Sequence, residues 1–125
     1  MPDNDLAPNV VALAADMIFA ARIHGAAQAV GASLELARNA DALLERARTD
    51  PPRRILLDLD TRSTDPAELI RTLKADPRTA AIEIVAFVSH VREDAITAAR
   101  DAGADRVLAR GAFARQLADW VQIQE

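Results

Sequence analysis

Cysteine is absent from this chain of 125 residues, which excludes disulfides and thiolate chemistry outright and fits a reducing compartment. Aromatic residues are scarce, at 3%, although half the chain is hydrophobic. Alanine supplies much of that apolar content, so helices are expected to lie close to the sheet they cover. Only four glycines occur, at 25, 31, 103 and 111, too scattered to form a phosphate-cradling nucleotide loop. No apolar run reaches membrane-spanning length, and no charged start is followed by an apolar core and a cleavage site. Nor is there a cluster of Arg or Lys interleaved with aromatics. With a formal charge of −4, a nucleic-acid surface is disfavoured. The expectation is a soluble cytoplasmic protein with no direct nucleic-acid or membrane contact.

What is present is organised around Arg53-Arg54-Ile55-Leu56-Leu57-Asp58-Leu59-Asp60. A short apolar run without polar alternation reads as a strand covered on both faces. It ends abruptly in a carboxylate. An acidic residue at the carboxyl end of a central strand sits in the crevice where open α/β sheets bind ligands. Before it, residues 1–8 form a polar lead expected to fray, and 9–125 read as one domain. Asn9 to Ala15 reads as a buried strand, and Asp16 opens a helix from Met17 to Val30, with Gly31 beyond its end. Ala32 to Arg38 alternates as an edge strand does, and Asn39 caps a helix from Ala40 to Arg48 whose Leu43, Leu44 and Ala47 face inward. Beyond the central strand, Asp65-Pro66-Ala67-Glu68 is a helix start in which Asp65 accepts from the backbone, Pro66 takes the first position and Glu68 reaches back. Pro77 stops that helix near Asp76. A strand from Ile82 to Val88 ends in Ser89. A helix from Arg92 to Ala102 is closed by Gly103, and Asp105 to Ala109 forms the fifth strand. One last helix carries Phe113, Leu117, Trp120 and Val121 on a single face. Strand and helix alternate five times with short connections, which predicts right-handed βαβ units and a parallel sheet with helices on both sides.

In the order and spacing of these segments the chain resembles the receiver domains of bacterial two-component response regulators. Ile55-Leu56-Leu57-Asp58-Leu59 matches the strand bearing that family's phosphoacceptor aspartate. Asp65-Pro66-Ala67-Glu68-Leu69 stands where receivers carry Asp-Gly-x-Glu-Leu. Leu73-Lys74-Ala75-Asp76-Pro77-Arg78-Thr79 is similar to the receiver connection into the fourth strand. Val85-Ala86-Phe87-Val88-Ser89 ends on the expected hydroxyl, and Ala102-Gly103-Ala104-Asp105 precedes the fifth strand. The resemblance implies an α/β, (βα)5 flavodoxin-like three-layer sandwich, its five-stranded parallel sheet in the order 2-1-3-4-5. It implies Asp58 as phosphoacceptor, with Ser89 and Arg110 contacting the phosphoryl group. It also implies a magnesium ion near Asp58 and the Asp60 carbonyl, with a sensor histidine kinase or another signalling protein as partner. The partner face would run from about Arg92 to Gln122 and include Arg92, Glu93, Arg100, Arg106 and Arg115, with a homodimer through the fourth and fifth helices as a further expectation. With no DNA-binding domain in the chain, output through partners is expected.

Several positions depart from the family pattern. Ala14 and Ala15 stand where receivers have their acidic pair, and Asp16, the only acidic residue nearby, reads as a helix cap. Among Asp16, Asp58 and Asp60, magnesium is expected to bind weakly or not at all. Arg110 replaces a lysine, and a planar guanidinium is not interchangeable with an ammonium. Gly111 replaces a proline, which loosens the turn. Arg62 replaces another proline, and Val107 an aromatic residue. Together these changes predict a degenerate or pseudo-receiver, not an enzyme. The alternative is a small phosphatase. Asp58-Leu59-Asp60-Thr61 is similar to the Asp-x-Asp motif of haloacid-dehalogenase-like enzymes, where the second aspartate is the general acid/base. That family carries the motif on its first strand and has later lysine and acidic residues with no counterpart here. His24 and His90 lack ligand spacing, although His90 is expected to border the pocket.

Overall fold

The computed structural model describes residues 8–89 and 92–123. Five strands and their helices follow one another as β1 (Val10–Leu13), α1 (Met17–Ala29), β2 (Leu34–Leu36), α2 (Ala40–Thr49), β3 (Arg54–Asp58), α3 (Pro66–Ala75), β4 (Glu83–Val88), α4 (Glu93–Ala102), β5 (Arg106–Ala109), α5 (Arg110–Arg115) and α6 (Leu117–Trp120). All pairings are parallel and the sheet order is β2-β1-β3-β4-β5, the expected one. β3 lies at the centre, and its residues 55–58 are all buried.

Successive side chains on a strand point to opposite faces, and the core divides accordingly. Val11, Leu13, Ile55, Leu57, Ile84 and Ala86 pack with α2, α3 and α4. Val10, Ala12, Leu56, Val85 and Phe87 pack with α1, α5 and α6. This is a three-layer sandwich. The scarce aromatics are not scattered through it: Phe19, Phe87, Phe113 and Trp120, which are all the chain has, form one stack on the α1/α5 side.

Local signals set the helix starts. Asp16, Asn39 and Asp65 each accept from backbone N–H groups of the first turn, at 2.7 Å (Phe19), 2.8 Å (Ala42) and 3.1 Å (Ala67). Gly103 closes α4 with φ +115°, a conformation that excludes most side chains, and the Lys74 stem packs where a Cβ would project. Glu68 does not reach back to complete a capping box; its carboxylate pairs instead with Arg71, one turn along α3. The final helix also differs from expectation. It breaks at Gln116, giving α5 and the one-turn α6, yet Phe113, Leu117 and Val121 remain buried. No helix among the described residues is long and apolar enough to cross a membrane.

Candidate functional site

At the carboxyl ends of β1, β3, β4 and β5 lies a cavity of about 570 Å³ lined by Asp16, Asp58, Asp60, Ser89, Arg92 and Arg110, with Arg62 at its side. Asp58, the last residue of β3, is only 1% exposed. Its Oδ2 accepts from the Ala15 N–H at 2.8 Å and its Oδ1 from the Asp60 N–H at 2.9 Å. Burial holds its carboxyl above the ordinary value. The two N–H donors work against that rise, the Asp60 charge adds to it and the Arg110 charge reduces it.

Asp60, two residues on, is set oppositely. Its Oδ2 accepts from the Ser89 N–H at 2.8 Å, and its Oδ1 faces Arg92 Nη2 at 3.2 Å. Burial pushes this carboxyl up, but the Ser89 hydroxyl and N–H, then the Arg92 and Arg110 charges, outweigh it and leave the group below its ordinary value. Both oxygens of this carboxylate are thus engaged, one by a main-chain N–H and one by a guanidinium.

Asp16 caps α1 through Oδ1, and its Oδ2 accepts from Arg110 Nη2 at 3.0 Å. Its carboxyl is lowered, chiefly by the Phe19 N–H. Arg110 makes no hydrogen bond to Asp58: it pairs with Asp16 and lies over the Phe19 ring, its Cζ 3.9 Å from the centroid. Gly111 falls in the first turn of α5, so β5 runs directly into that helix. Arg92 was expected on an exposed partner face. It is exposed, and its guanidinium also bonds to Asp60 and to the Leu59 carbonyl (3.3 Å) at the cavity. Arg106 and Arg115 are exposed, and Arg106 lies over Trp120 at 5.8 Å. His24 is exposed on α1, and His90 lies outside the described residues.

No protein-family model and no curated protein matches the chain. Solved structures do. The receiver domain of a response regulator from Bermanella marisrubri is 21% identical with a TM-score of 0.76, over 94% of this chain and 100% of that one. The phosphorylated cyanobacterial phytochrome response regulator RcpA is 26% identical with a TM-score of 0.72, over 93% and 90%. The Mn²⁺-bound form of response regulator Rcp1 is 18% identical with a TM-score of 0.72, over 94% and 98%. The chain has the receiver-domain fold.

Within that receiver fold the donors present do not suit a magnesium ion. Magnesium takes hard oxygen ligands and needs carboxylate charge. Here Ala14 and Ala15 offer none, Asp16 is turned to Arg110 and Asp60 to Arg92. Three arginines balance the three aspartates in the cavity. Among the described residues no three acidic or histidine side chains gather as a metal cluster.

The buried Asp58 carries a pH signature with a definite sign. A carboxyl raised in the folded state contributes stability that is complete below the unfolded value, near 3.8, and is lost as pH rises through the folded value. Asp16 and Asp60, both lowered, act in the opposite sense and lose their contribution as pH falls. Subtracting the urea midpoints of Asp58→Asn from those of the native chain between pH 3 and 7 isolates the first effect. The difference is expected to move in favour of the variant as pH climbs above 3.8; movement toward the native chain would show that Asp58 is stabilised as an anion.

Proposed function

We propose that this chain is a receiver-like signalling module of a two-component phosphorelay, acting through protein–protein contact rather than as an enzyme. Asp58 stands at the phosphoacceptor position, with magnesium binding and phosphorylation both impaired. The observation that carries the reading is the buried Asp58 carboxylate at the end of the central strand of a receiver fold, sharing a cavity with Ser89 and Arg110. Phosphoryl transfer to such a group requires an in-line carboxylate and positive charge around three equatorial oxygens. Arg62, Arg92 and Arg110 supply cationic charge at that place, and Ser89 supplies donors. What is weakened is the acidic side of the pocket, where two methyl groups stand.

A sensor histidine kinase or another signalling protein fits as partner. Met17 and Ile18, each 84% exposed, follow Asp16 in the first turn of α1, the kind of apolar pair a docked protein covers. Arg106 and Arg115 fall on the second face assigned to partners, where a homodimer is a further reading.

The test is magnesium with beryllofluoride, a phosphoryl mimic, followed by amide shifts. Weak changes centred on Asp58, Ser89 and Arg110, appearing only at high magnesium and lost in Asp58→Ala, are expected. Tight magnesium binding would overturn the impaired-pocket reading. Sustained turnover of a generic phosphate ester that depends on Asp60 would replace the signalling module with a phosphatase.

A further inference from the structure

Asp60 is held by more donors than a turn residue needs. The Ser89 N–H reaches Oδ2 at 2.8 Å and Arg92 Nη2 reaches Oδ1 at 3.2 Å. A main-chain N–H and a guanidinium, one on each oxygen of the carboxylate, make an oxyanion site, because each donor strengthens when its acceptor is ionised. Arg92 is itself aimed by the Leu59 carbonyl at 3.3 Å. These donors come from the end of β4 and the N-cap of α4, whereas the carboxylate comes from beyond β3, so the contact spans 29 and 32 residues of sequence. Arg62 lines the same cavity with no hydrogen-bond or ion-pair partner among the described residues. The cavity therefore holds one built anion site, filled by the chain's own carboxylate, and one guanidinium, that of Arg62, bound to no carboxylate among the described residues.

We propose that Asp60 is a tethered anion occupying an oxyanion site formed by Ser89 and Arg92, and that removing its charge opens that site to a free tetrahedral oxyanion of the phosphate class. The proposal rests on the receiver reading for the choice of a phosphoryl-like anion. The tether gives Asp60 its advantage. A group fixed two residues from Asp58 competes at an effective concentration on the order of millimolar or higher, so dissolved phosphate at lower concentration does not displace it. The native pocket is consequently deaf to free phosphate, and Asp60 bridges Ser89 to Arg92 with nothing attached to Asp58.

Inorganic phosphate titrated into the metal-free protein tests this, with the Ser89 amide and the Arg92 guanidinium followed by NMR. Asp60→Ala is expected to bind saturably, at least about tenfold more tightly than the native chain, with shifts at both residues. Equal affinities in the two proteins overturn the proposal. Asp60→Asn keeps the shape without the charge and provides the same comparison should the alanine variant not fold; it too must bind more tightly than the native chain. The titration contains no kinase, metal or phosphodonor. Failure here therefore leaves the beryllofluoride result untouched, and failure there leaves this outcome readable.

Discussion

Phe87→Ala is expected to lower the stability of the fold by about 3–5 kcal/mol, the range for deleting a fully buried aromatic ring. Phe87 is 0% exposed within the aromatic stack. Its ring lies 4.3 Å from Phe113, nearly parallel at 12°, and 5.3 Å from Phe19, tilted by 54°. Phe113 in turn faces Trp120 at 6.4 Å. No other aromatic residue exists to close the gap, and the neighbours on that side of the sheet are small or branched: Ala12, Val10, Val85. The cavity left behind therefore collapses poorly, which places the cost toward the upper part of the range. The loss also reaches the site. Phe87 is the register partner of Asp58, its carbonyl accepts from the Leu59 N–H at 2.8 Å, and Phe19 is the ring on which Arg110 rests. The shift in urea midpoint, converted with an unchanged denaturant slope, measures the effect. A loss below about 1.5 kcal/mol, the scale of a tolerated volume-conserving core swap, would mean that the ring does not organise this layer.

That stack was only partly legible in the sequence. Phe113, Leu117, Trp120 and Val121 announce a buried face through their spacing, but nothing local joins them to Phe19, 94 residues before Phe113 in the numbering, or to Phe87. The same spacing conceals the break at Gln116, because a helix interrupted by a single turn residue can keep its apolar side chains pointing one way. The N-cap acceptors, by contrast, were legible, although the reach-back of Glu68 was not formed. Asp16, Asn39 and Asp65 act on N–H groups two or three residues ahead, so the chemistry lies within the window a sequence displays. The site divides along the same line. Asp58 is marked by the apolar run it terminates, and Ser89 by the strand before it. Arg92 gave no signal that it pairs with Asp60, since that contact spans 32 residues. Arg110 was placed at the correct strand end, but its preference for Asp16 and the Phe19 ring follows from tertiary packing alone.

Arg54→Ala should cost about 2–4 kcal/mol, unusually large for a charged residue, because its guanidinium joins the sheet to the end of the described chain. Its Nε pairs with Glu83 at 2.7 Å, and its Nη1 reaches the carbonyls of Trp120 and Gln122 at 2.9 Å and of Asp119 at 3.3 Å. The same group lies 5.5 Å from the centroid of the Trp120 ring, so hydrogen bonding and cation–π attraction hold one segment together. Removal strands carbonyls at the end of α6, where no other side chain among the described residues serves them, and leaves Glu83 without its partner. Arg54→Lys keeps the charge but not the fork, so it should recover less than half of the loss. The single tryptophan makes this measurable by fluorescence during unfolding. Arg54 opens β3 and Asp58 closes it, about 13 Å apart along an extended strand. The variant should therefore lose stability while, in its folded fraction, the Ser89 amide keeps its native shift and its indifference to phosphate. A Ser89 shift that followed Arg54 would show that the two ends of the central strand are coupled, and that Asp60 is held by the state of the whole sheet rather than by the donors around it.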